Sequence, residues 1–168
     1  MTTDPLAAFI AALPRDGRLL GLDVGSKTIG LATSDALRGM ATPLSTIARS
    51  KFTKDAVKLA EIVAREAVVG LVIGLPLNMD GSEGPRCQST RQFVANLAAL
   101  APQAGVRFAD LPILLQDERL SSAAVERTMV DEYDMSRARR AERIDAAAAA
   151  WILQTALDRM RNASRQPA

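Results

Sequence analysis

The stretch RLLGLDVGSKTIGLATS at residues 18–34 decides the fold. Its two short apolar runs, residues 18–24 and 28–33, are separated by Gly-Ser-Lys, and this pattern predicts two strands joined as a hairpin. Residues 43–47 alternate with period two and are rich in β-branched side chains, which predicts a third strand. The chain therefore opens with three short strands.

The hydrophobic period then changes. Apolar residues at three- and four-residue spacing predict an amphipathic helix from residue 52 to 63, whose polar face carries Lys54, Asp55, Lys58 and Glu61. Residues 68–73 are apolar at both odd and even positions, as in a strand covered on both faces. A helix beginning at Pro85, a strand at 113–115 and a last helix from about 143 to 160 follow. The order β-β-β-α-β-α-β-α predicts an α/β fold, with a mixed five-stranded sheet and helices on both faces.

Length and composition fit one globular domain. The chain has 168 residues, of which 48% are hydrophobic and 24% charged, so it can bury a core without disulfides or a structural metal. We expect an N-terminal appendage at residues 1–17, the domain at 18–162 and a tail at 163–168. The first 18 residues have the pattern of neither a signal peptide nor a membrane span. A cytoplasmic protein without membrane contact is expected.

Charge and rare residues exclude several classes of protein. The net charge is only +2, and the chain has no histidine and a single cysteine. Histidine-ligated zinc sites and Ser-His or Cys-His catalytic pairs are thereby excluded. Cys87 cannot form an internal disulfide, and a buried structural thiol is the expected role. Any enzyme on this scaffold must work with carboxylates.

Three acids stand where burial would make a charge costly. Asp23 interrupts an apolar strand, Glu118 directly follows the strand at 113–115, and Asp145 lies one turn into the last helix ahead of five alanines. Three converging carboxylates would form an oxygen-rich pocket for a hard divalent cation. Two such ions, Mg²⁺ or Mn²⁺, can activate water and stabilise a leaving oxygen in phosphodiester hydrolysis without histidine. We expect Asp23 to bridge them and the other two acids to complete the coordination.

Each acid also has an ordinary structural interpretation. Asp23 can cap the turn at Gly25, Glu118 can pair with Arg119, and Asp145 can interact with the helix dipole. Taken one at a time, these interpretations stay open.

Candidate nucleic-acid contacts surround the three acids. In the glycine-rich loop at residues 74–85, Asn78 and Ser82 can bind sugar or phosphate, or can equally hold the loop's own turns. The helix start behind this loop offers free N–H groups to a phosphate. The expected basic contacts are Lys27, Arg86, Arg91, Arg119, Arg137, Arg139, Arg140 and Arg143. Residues 131–142 are expected to be a mobile segment that orders on substrate.

Four motifs together resemble the YqgF/RuvX family: GLDVGSKTIGLATSD (21–35), GLPLNMDGSEGP (74–85), DERLS (117–121) and IDAAA (144–148). The resemblance covers about residues 18–160. It implies a three-layer ribonuclease H-like fold related to Holliday-junction resolvases, and a nuclease that matures the 5′ end of pre-16S ribosomal RNA. It also implies that Asp23, Glu118 and Asp145 match the family's acidic triad. One departure is Thr28, where the family commonly has Arg.

Other functions remain compatible with these residues. A junction-resolving DNA nuclease would need a dimer that matches the symmetry of the junction, and a non-catalytic ribosomal-RNA-binding assembly factor would use the acids only structurally. The segment at residues 21–27 also looks like the phosphate loop of sugar kinases and actin-like ATPases, but those proteins need a second domain. The expected partner is structured RNA, with branched DNA as the alternative. The chain is expected to be a monomer or a weak homodimer.

Overall fold

The computed structural model describes residues 4–119 and 137–165, with side chains from residue 143 onward in the second segment. Within these residues there are five strands: β1 (Arg18–Val24), β2 (Thr28–Ser34), β3 (Ala41–Ala48), β4 (Val68–Leu75) and β5 (Ile113–Asp117). The helices are α1 (Pro5–Ala12), α2 (Phe52–Arg65), α3 (Pro85–Ala99) and α4 (Arg137–Arg165), with a short 3₁₀ helix at Phe108–Asp110. Within the described residues the predicted order from β1 to α4 is confirmed, and α1 and the 3₁₀ helix are present in addition.

The strands form one mixed sheet in the order β3-β2-β1-β4-β5. The first three strands pair antiparallel, as the hairpin pattern predicts, and β4 and β5 add in parallel on the other side of β1. β1 and β4 are therefore central, and their backbones are buried along most of their length. β3 is an edge strand, and most of its residues are partly or fully exposed.

Alternating side chains of the sheet build two separate cores. Leu20, Leu22, Leu71 and Ile73 face α2 and α3 on one side. On the other side, neighbouring residues of the same strands pack against α1 and α4. α1 contributes Leu6 and Phe9 to this second core. The predicted arrangement of helices on both faces is confirmed, and the result is three layers. No helix in the described part of the chain is long and apolar enough to cross a membrane.

The last helix begins earlier than the sequence pattern predicts. α4 starts at Arg137 rather than at about residue 143. The arginines, alanine and glutamate that precede residue 143 all have good helix propensity, and neither glycine nor proline interrupts them. Residues 137–142 of the predicted mobile segment are helical, and the ordering of this segment on substrate stays a prediction, while residues 131–136 lie outside the described part.

One residue assigned to the polar face of α2 is buried instead. Asp55 is only 1% exposed, because it is satisfied from the preceding loop. The backbone N–H and the hydroxyl of Ser50 donate to its carboxylate at 3.0 Å, and Arg49 forms an ion pair with it at 3.9 Å. These partners replace the water that an exposed carboxylate would bind.

Candidate active site

Three glycines let α4 and Glu118 lie directly on the sheet. Gly21, Gly30 and Gly74 occupy neighbouring strands on the face that α4 covers. A Cβ atom at Gly21 would stand 2.8 Å from the Cβ of Leu153, and one at Gly30 would overlap the backbone carbonyl of Asp145. A Cβ at Gly74 would overlap the carboxylate of Glu118. Only glycine permits this close approach.

The glycines bring the three predicted acids into one row. Asp23 pairs with Gly30 across the β1–β2 ladder, so it stands beside the residue over which Asp145 lies. On the other side of β1, Leu22 pairs with Ile73, and the next residue of β4 is Gly74, the floor beneath Glu118. Asp23 is thus flanked by Asp145 on one side and Glu118 on the other.

Burial and mutual repulsion raise the pKa values of two of these acids. The pKa of Asp23 rises from 3.8 to about 6, first because the group is buried and then because Asp145 is close. The pKa of Glu118 rises from 4.5 to about 7 through burial and the nearby charge of Asp23. In both cases the guanidinium of Arg86 acts in the opposite direction. Clustered carboxylates with raised pKa values are typical of catalytic sites.

Thr28 orients the third acid. Its Oγ1 donates a hydrogen bond of 2.5 Å to Oδ2 of Asp145, which joins the first residue of β2 to the helix. The hydroxyl of Thr28, the residue singled out as a departure in the sequence analysis, therefore contacts one of the three acids directly. No local pattern could indicate this contact, because the two residues are 117 positions apart.

The donor set fits a divalent cation. Within the described residues no three acidic or thiol groups form a ready-made metal cage. Asp23 is instead coupled to Asp145 and, separately, to Glu118, so the site offers two carboxylate pairs that share Asp23. A bound cation would relieve the repulsion and the burial cost that raise these pKa values, and carboxylate oxygens are the ligands that Mg²⁺ and Mn²⁺ prefer.

Arg86 is a predicted basic contact whose positive charge lowers the pKa values of Asp23 and Glu118. It stands in the first turn of α3, behind the proline that begins the helix. Together with Glu118, Arg119 and Asn78 it lines a cavity of about 430 Å³ beside the acid row. Its charge reaches both Asp23 and Glu118, so this arginine faces the same space as the carboxylates.

Two other predicted basic contacts are held in ion pairs. Arg91 binds Glu83 through two nitrogen–oxygen contacts of 2.5 and 3.2 Å. Arg119 binds Asp117 at 2.6 Å, and it also donates to the carbonyl of Met79. These pairs brace the glycine-rich loop and the end of β5, and they compete with any phosphate for the same guanidinium groups.

The polar side chains of the glycine-rich loop bond to one another. Nδ2 of Asn78 donates to Oγ of Ser82 at 3.0 Å, and the N–H of Ser82 donates to Asp80 at 2.9 Å. Gly81, at φ +89°, completes the turn by donating its N–H to the carbonyl of Asn78. Of the two interpretations that the sequence left open, the contacts match the one in which this loop holds its own turns.

The remaining basic candidates are placed as follows. Lys27 is exposed in the β1–β2 turn, four residues after Asp23. Arg143 is exposed on α4, two residues before Asp145. Arg137, Arg139 and Arg140 lie in the first turns of α4, and their side chains lie outside the described part of the chain.

A second polar cavity was not predicted. It has a volume of about 440 Å³ and lies between the β1–β2 turn and α3, and its walls include Arg49, Arg86, Ser50 and Ser89. Arg49 donates to the carbonyl of Gly25 at 2.7 Å, so it also fixes the turn that follows Asp23. Nothing in the local pattern distinguishes Arg49 from any other charged residue after a strand.

Cys87 is completely buried, and its thiol donates to the carbonyl of Pro76 at 3.2 Å. The predicted burial is confirmed, and the contact ties α3 to the start of the glycine-rich loop. This cysteine faces the protein interior rather than the acid row.

Comparison with known proteins agrees with this site. The family model RuvX, described as Holliday junction resolvase, matches residues 17–159. A protein of Paracoccus denitrificans is 56% identical over 161 residues, which are 96% of each chain. A protein of Sphingopyxis alaskensis is 58% identical over 95% of this chain and 99% of its own. Both carry the name "Putative pre-16S rRNA nuclease".

A solved structure shares the fold. The RuvC protein of T. thermophilus, in complex with a Holliday junction substrate, superposes with a TM-score of 0.50 at 15% identity, over 86% of this chain and 96% of its own. The ribonuclease H-like resolvase fold implied by the sequence motifs is confirmed. With the family model matched over nearly the whole domain and the relatives more than half identical, the chain belongs to the RuvX family of nucleases.

Proposed function

We propose that this protein is a divalent-metal-dependent nuclease that hydrolyses phosphodiester bonds in structured RNA, in the maturation of the 5′ end of pre-16S ribosomal RNA. The observation that carries the proposal is the row of Asp145, Asp23 and Glu118 above a floor of glycines. The names of the relatives support the choice of substrate.

The residues of the chain have distinct parts in this reaction. Asp23, Glu118 and Asp145 would hold the cation, either Mg²⁺ or Mn²⁺, and two ions are proposed because Asp23 stands between the other two acids. When bound, such ions lower the pKa of water and stabilise negative charge on the leaving oxygen. Thr28 fixes the orientation of the Asp145 carboxylate through its hydrogen bond.

Hydrolysis forms one bond between the oxygen of water and phosphorus and breaks the bond to the leaving oxygen, which takes up a proton. Arg86 faces both Asp23 and Glu118, so it is placed to bind a non-bridging oxygen of the phosphate and to offset charge that develops there. Lys27, exposed in the β1–β2 turn, and Arg143, exposed on α4 two residues before Asp145, would bind flanking phosphates.

The test is cleavage of an end-labelled 16S precursor RNA in Mg²⁺ and in Mn²⁺. Wild-type protein should cut the RNA, and Asp23→Asn, which keeps the size of the side chain but removes its charge, should lose at least a hundredfold in rate while still binding the RNA. Equal background cleavage by both proteins, with the RNA bound but intact, would instead indicate a non-catalytic assembly factor.

A junction resolvase is the second candidate, because the family description and the fold of RuvC both point to it. A four-way DNA junction in the same assay discriminates the two substrates. Symmetric junction cutting requires two active sites in a dimer. Sedimentation of the protein with and without the junction therefore accompanies the cleavage assay, and a monomer that cuts only RNA excludes this candidate.

A further inference from the structure

A groove separate from the acid row runs between the edge of the sheet and the last helix. It has a volume of about 540 Å³ and is lined by residues 43–46 of β3 and by Arg143, Ala146 and Ala147 of α4. The proline, the leucine and the two alanines give it apolar walls, while the serine, the threonine and the arginine supply polar groups. A mixed lining of this kind suits a ligand that has both a flat apolar part and a charged part.

One end of the groove opens at the acids. Thr46 pairs with Gly30, the glycine over which the carbonyl of Asp145 lies. Arg143 and Ala146 are two residues before and one residue after Asp145 on the same helix. A ligand in the groove would therefore lie next to a phosphate bound at the acid row.

Trp151 stands on α4 one turn beyond Ala147, the last helix residue that lines the groove. The N–H of Ala41 donates to the side chain of Gln154 at 2.9 Å, so β3 and α4 run side by side in opposite directions. Trp151 stands one turn beyond Ala147 and one turn before Gln154 on this side of the helix. It is 51% exposed and is the only tryptophan of the chain. From Arg143 to Trp151 the helix rises about 12 Å.

We propose that this groove binds one nucleotide of the substrate strand next to the phosphate that is cut. The base stacks on Trp151, and Arg143 binds the phosphate that joins this nucleotide to the cleavage site. An exposed indole leaves a large apolar surface in water, and stacking on a base covers this surface and is favourable with any base. This inference rests on the proposed nuclease function and adds to it a defined contact with an unpaired nucleotide.

A nucleotide accounts for the groove better than a protein segment does. The groove lining includes Arg143, two residues before Asp145 on α4, and Thr46, which pairs with Gly30. Pro43 lies in the edge strand, where it removes a donor that a docking strand would need. Trp151 offers one stacking surface, so the proposal requires one unpaired base beside the cut.

The single tryptophan makes the test direct. An eight-nucleotide single-stranded RNA is titrated into the full-length protein in EDTA, where no metal-dependent cleavage can occur, while the emission of Trp151 and the anisotropy of a fluorophore on the RNA are followed. Stacking should quench the emission. Trp151→Ala should weaken RNA binding about tenfold, and Trp151→Phe, which keeps an aromatic face, should weaken it less.

Two further variants distinguish an effect of the groove from a general effect of changing the protein surface. Ala147→Leu fills the groove, keeps the tryptophan and the helix propensity, and should weaken RNA binding to a similar extent. Leu37→Ala removes an apolar side chain that is 84% exposed and lies outside the groove lining, so it should leave the dissociation constant unchanged.

The proposal is overturned if the emission does not change on RNA binding, or if Trp151→Ala binds the RNA as well as wild type does. It is also overturned if the variant instead abolishes a concentration-dependent dimer in sedimentation, because the groove would then be a protein interface. Failure of the proposed nuclease function would give a different result. RNA would still quench the emission of Trp151, but neither Mg²⁺ nor Mn²⁺ would support cleavage.

Discussion

Gly30 lies directly beneath the backbone carbonyl of Asp145, so close that any side chain at position 30 would overlap that carbonyl. The same glycine pairs with Asp23 in the adjacent strand. One residue without a Cβ therefore sets the distance between a strand carboxylate and a helix carboxylate. The spacing of the acid row depends on this contact as much as on the acids themselves.

Gly30→Ala should separate α4 from the sheet. Because the obstacle is backbone and cannot rotate away, we expect a loss of about 3 kcal/mol in the free energy of unfolding. We also expect a loss of about a hundredfold in cleavage rate, since a small shift of Asp145 misplaces the reacting groups. Urea denaturation and the RNA cleavage assay measure the two effects. Gly39→Ala is the matched control, because a Cβ there meets only atoms at 3.8 Å.

Thr28→Val should lower kcat about tenfold and leave KM nearly unchanged. The valine keeps the shape of the side chain but cannot donate to Asp145, and a hydrogen bond to a charged group is worth about 2 kcal/mol. Thr28→Ser keeps the hydroxyl and should retain most of the activity. If valine and serine behaved alike, the hydroxyl would have no part in orienting the carboxylate.

Ser89→Glu should weaken RNA binding several-fold, with a larger effect at low salt. Ser89 lines the polar cavity between the β1–β2 turn and α3, together with Arg49 and Arg86. An added carboxylate would repel a backbone phosphate held there. Gln88→Glu adds the same charge at the preceding position of α3, which lies outside the cavity lining. Equal losses in the two variants would show that only the net charge of the helix matters.

Cys87 should react with a thiol reagent only when the protein unfolds. Its side chain is fully buried and donates to the carbonyl of Pro76. Cys87→Ala should cost about 1 kcal/mol of stability through the lost packing and the lost contact, and should leave the cleavage rate unchanged. Fast labelling of the native protein, or a loss of activity in a stable Cys87→Ala protein, would contradict this structural role.

The sequence predicted those features that depend on neighbouring residues. The period-two and period-3.6 patterns marked the strands and helices, because burial of one face imposes these periods. Asp23, Glu118 and Asp145 were recognisable as candidates since a carboxylate inside or beside an apolar segment is costly to bury. The structure then showed how these acids are brought together.

Contacts between distant parts of the chain could not be predicted in this way. The burial of Asp55 depends on Ser50 and Arg49 in the loop before its helix, and in the sequence this aspartate fits the polar face of α2. The contact of Thr28 with Asp145 depends on the packing of α4 over β2. Neither contact leaves a periodic signal, because each is set by the three-dimensional approach of two segments.

The pH dependence of the free energy of unfolding should reflect the raised pKa values in the acid row. The pKa values of Asp23 and Glu118 are raised to about 6 and about 7 in the folded protein. Both groups therefore bind their protons more tightly in the folded chain than in the unfolded one. Their contribution to stability is fully present below about pH 4 and is lost as the pH rises to about 7.

Asp23→Asn and Glu118→Gln each remove an acid whose deprotonation destabilises the folded protein at high pH. Each variant should therefore have an unfolding temperature a few degrees above that of wild type at pH 8. At pH 4 the unfolding temperatures should be nearly equal. Mg²⁺ should raise the unfolding temperature of wild-type protein at pH 8, because the cation replaces the missing protons. It should have little effect on the double variant. Thermal unfolding at the two pH values, with and without Mg²⁺, checks both expectations. Variants that are less stable than wild type at pH 8 would mean that the acids are stabilised by partners other than a cation.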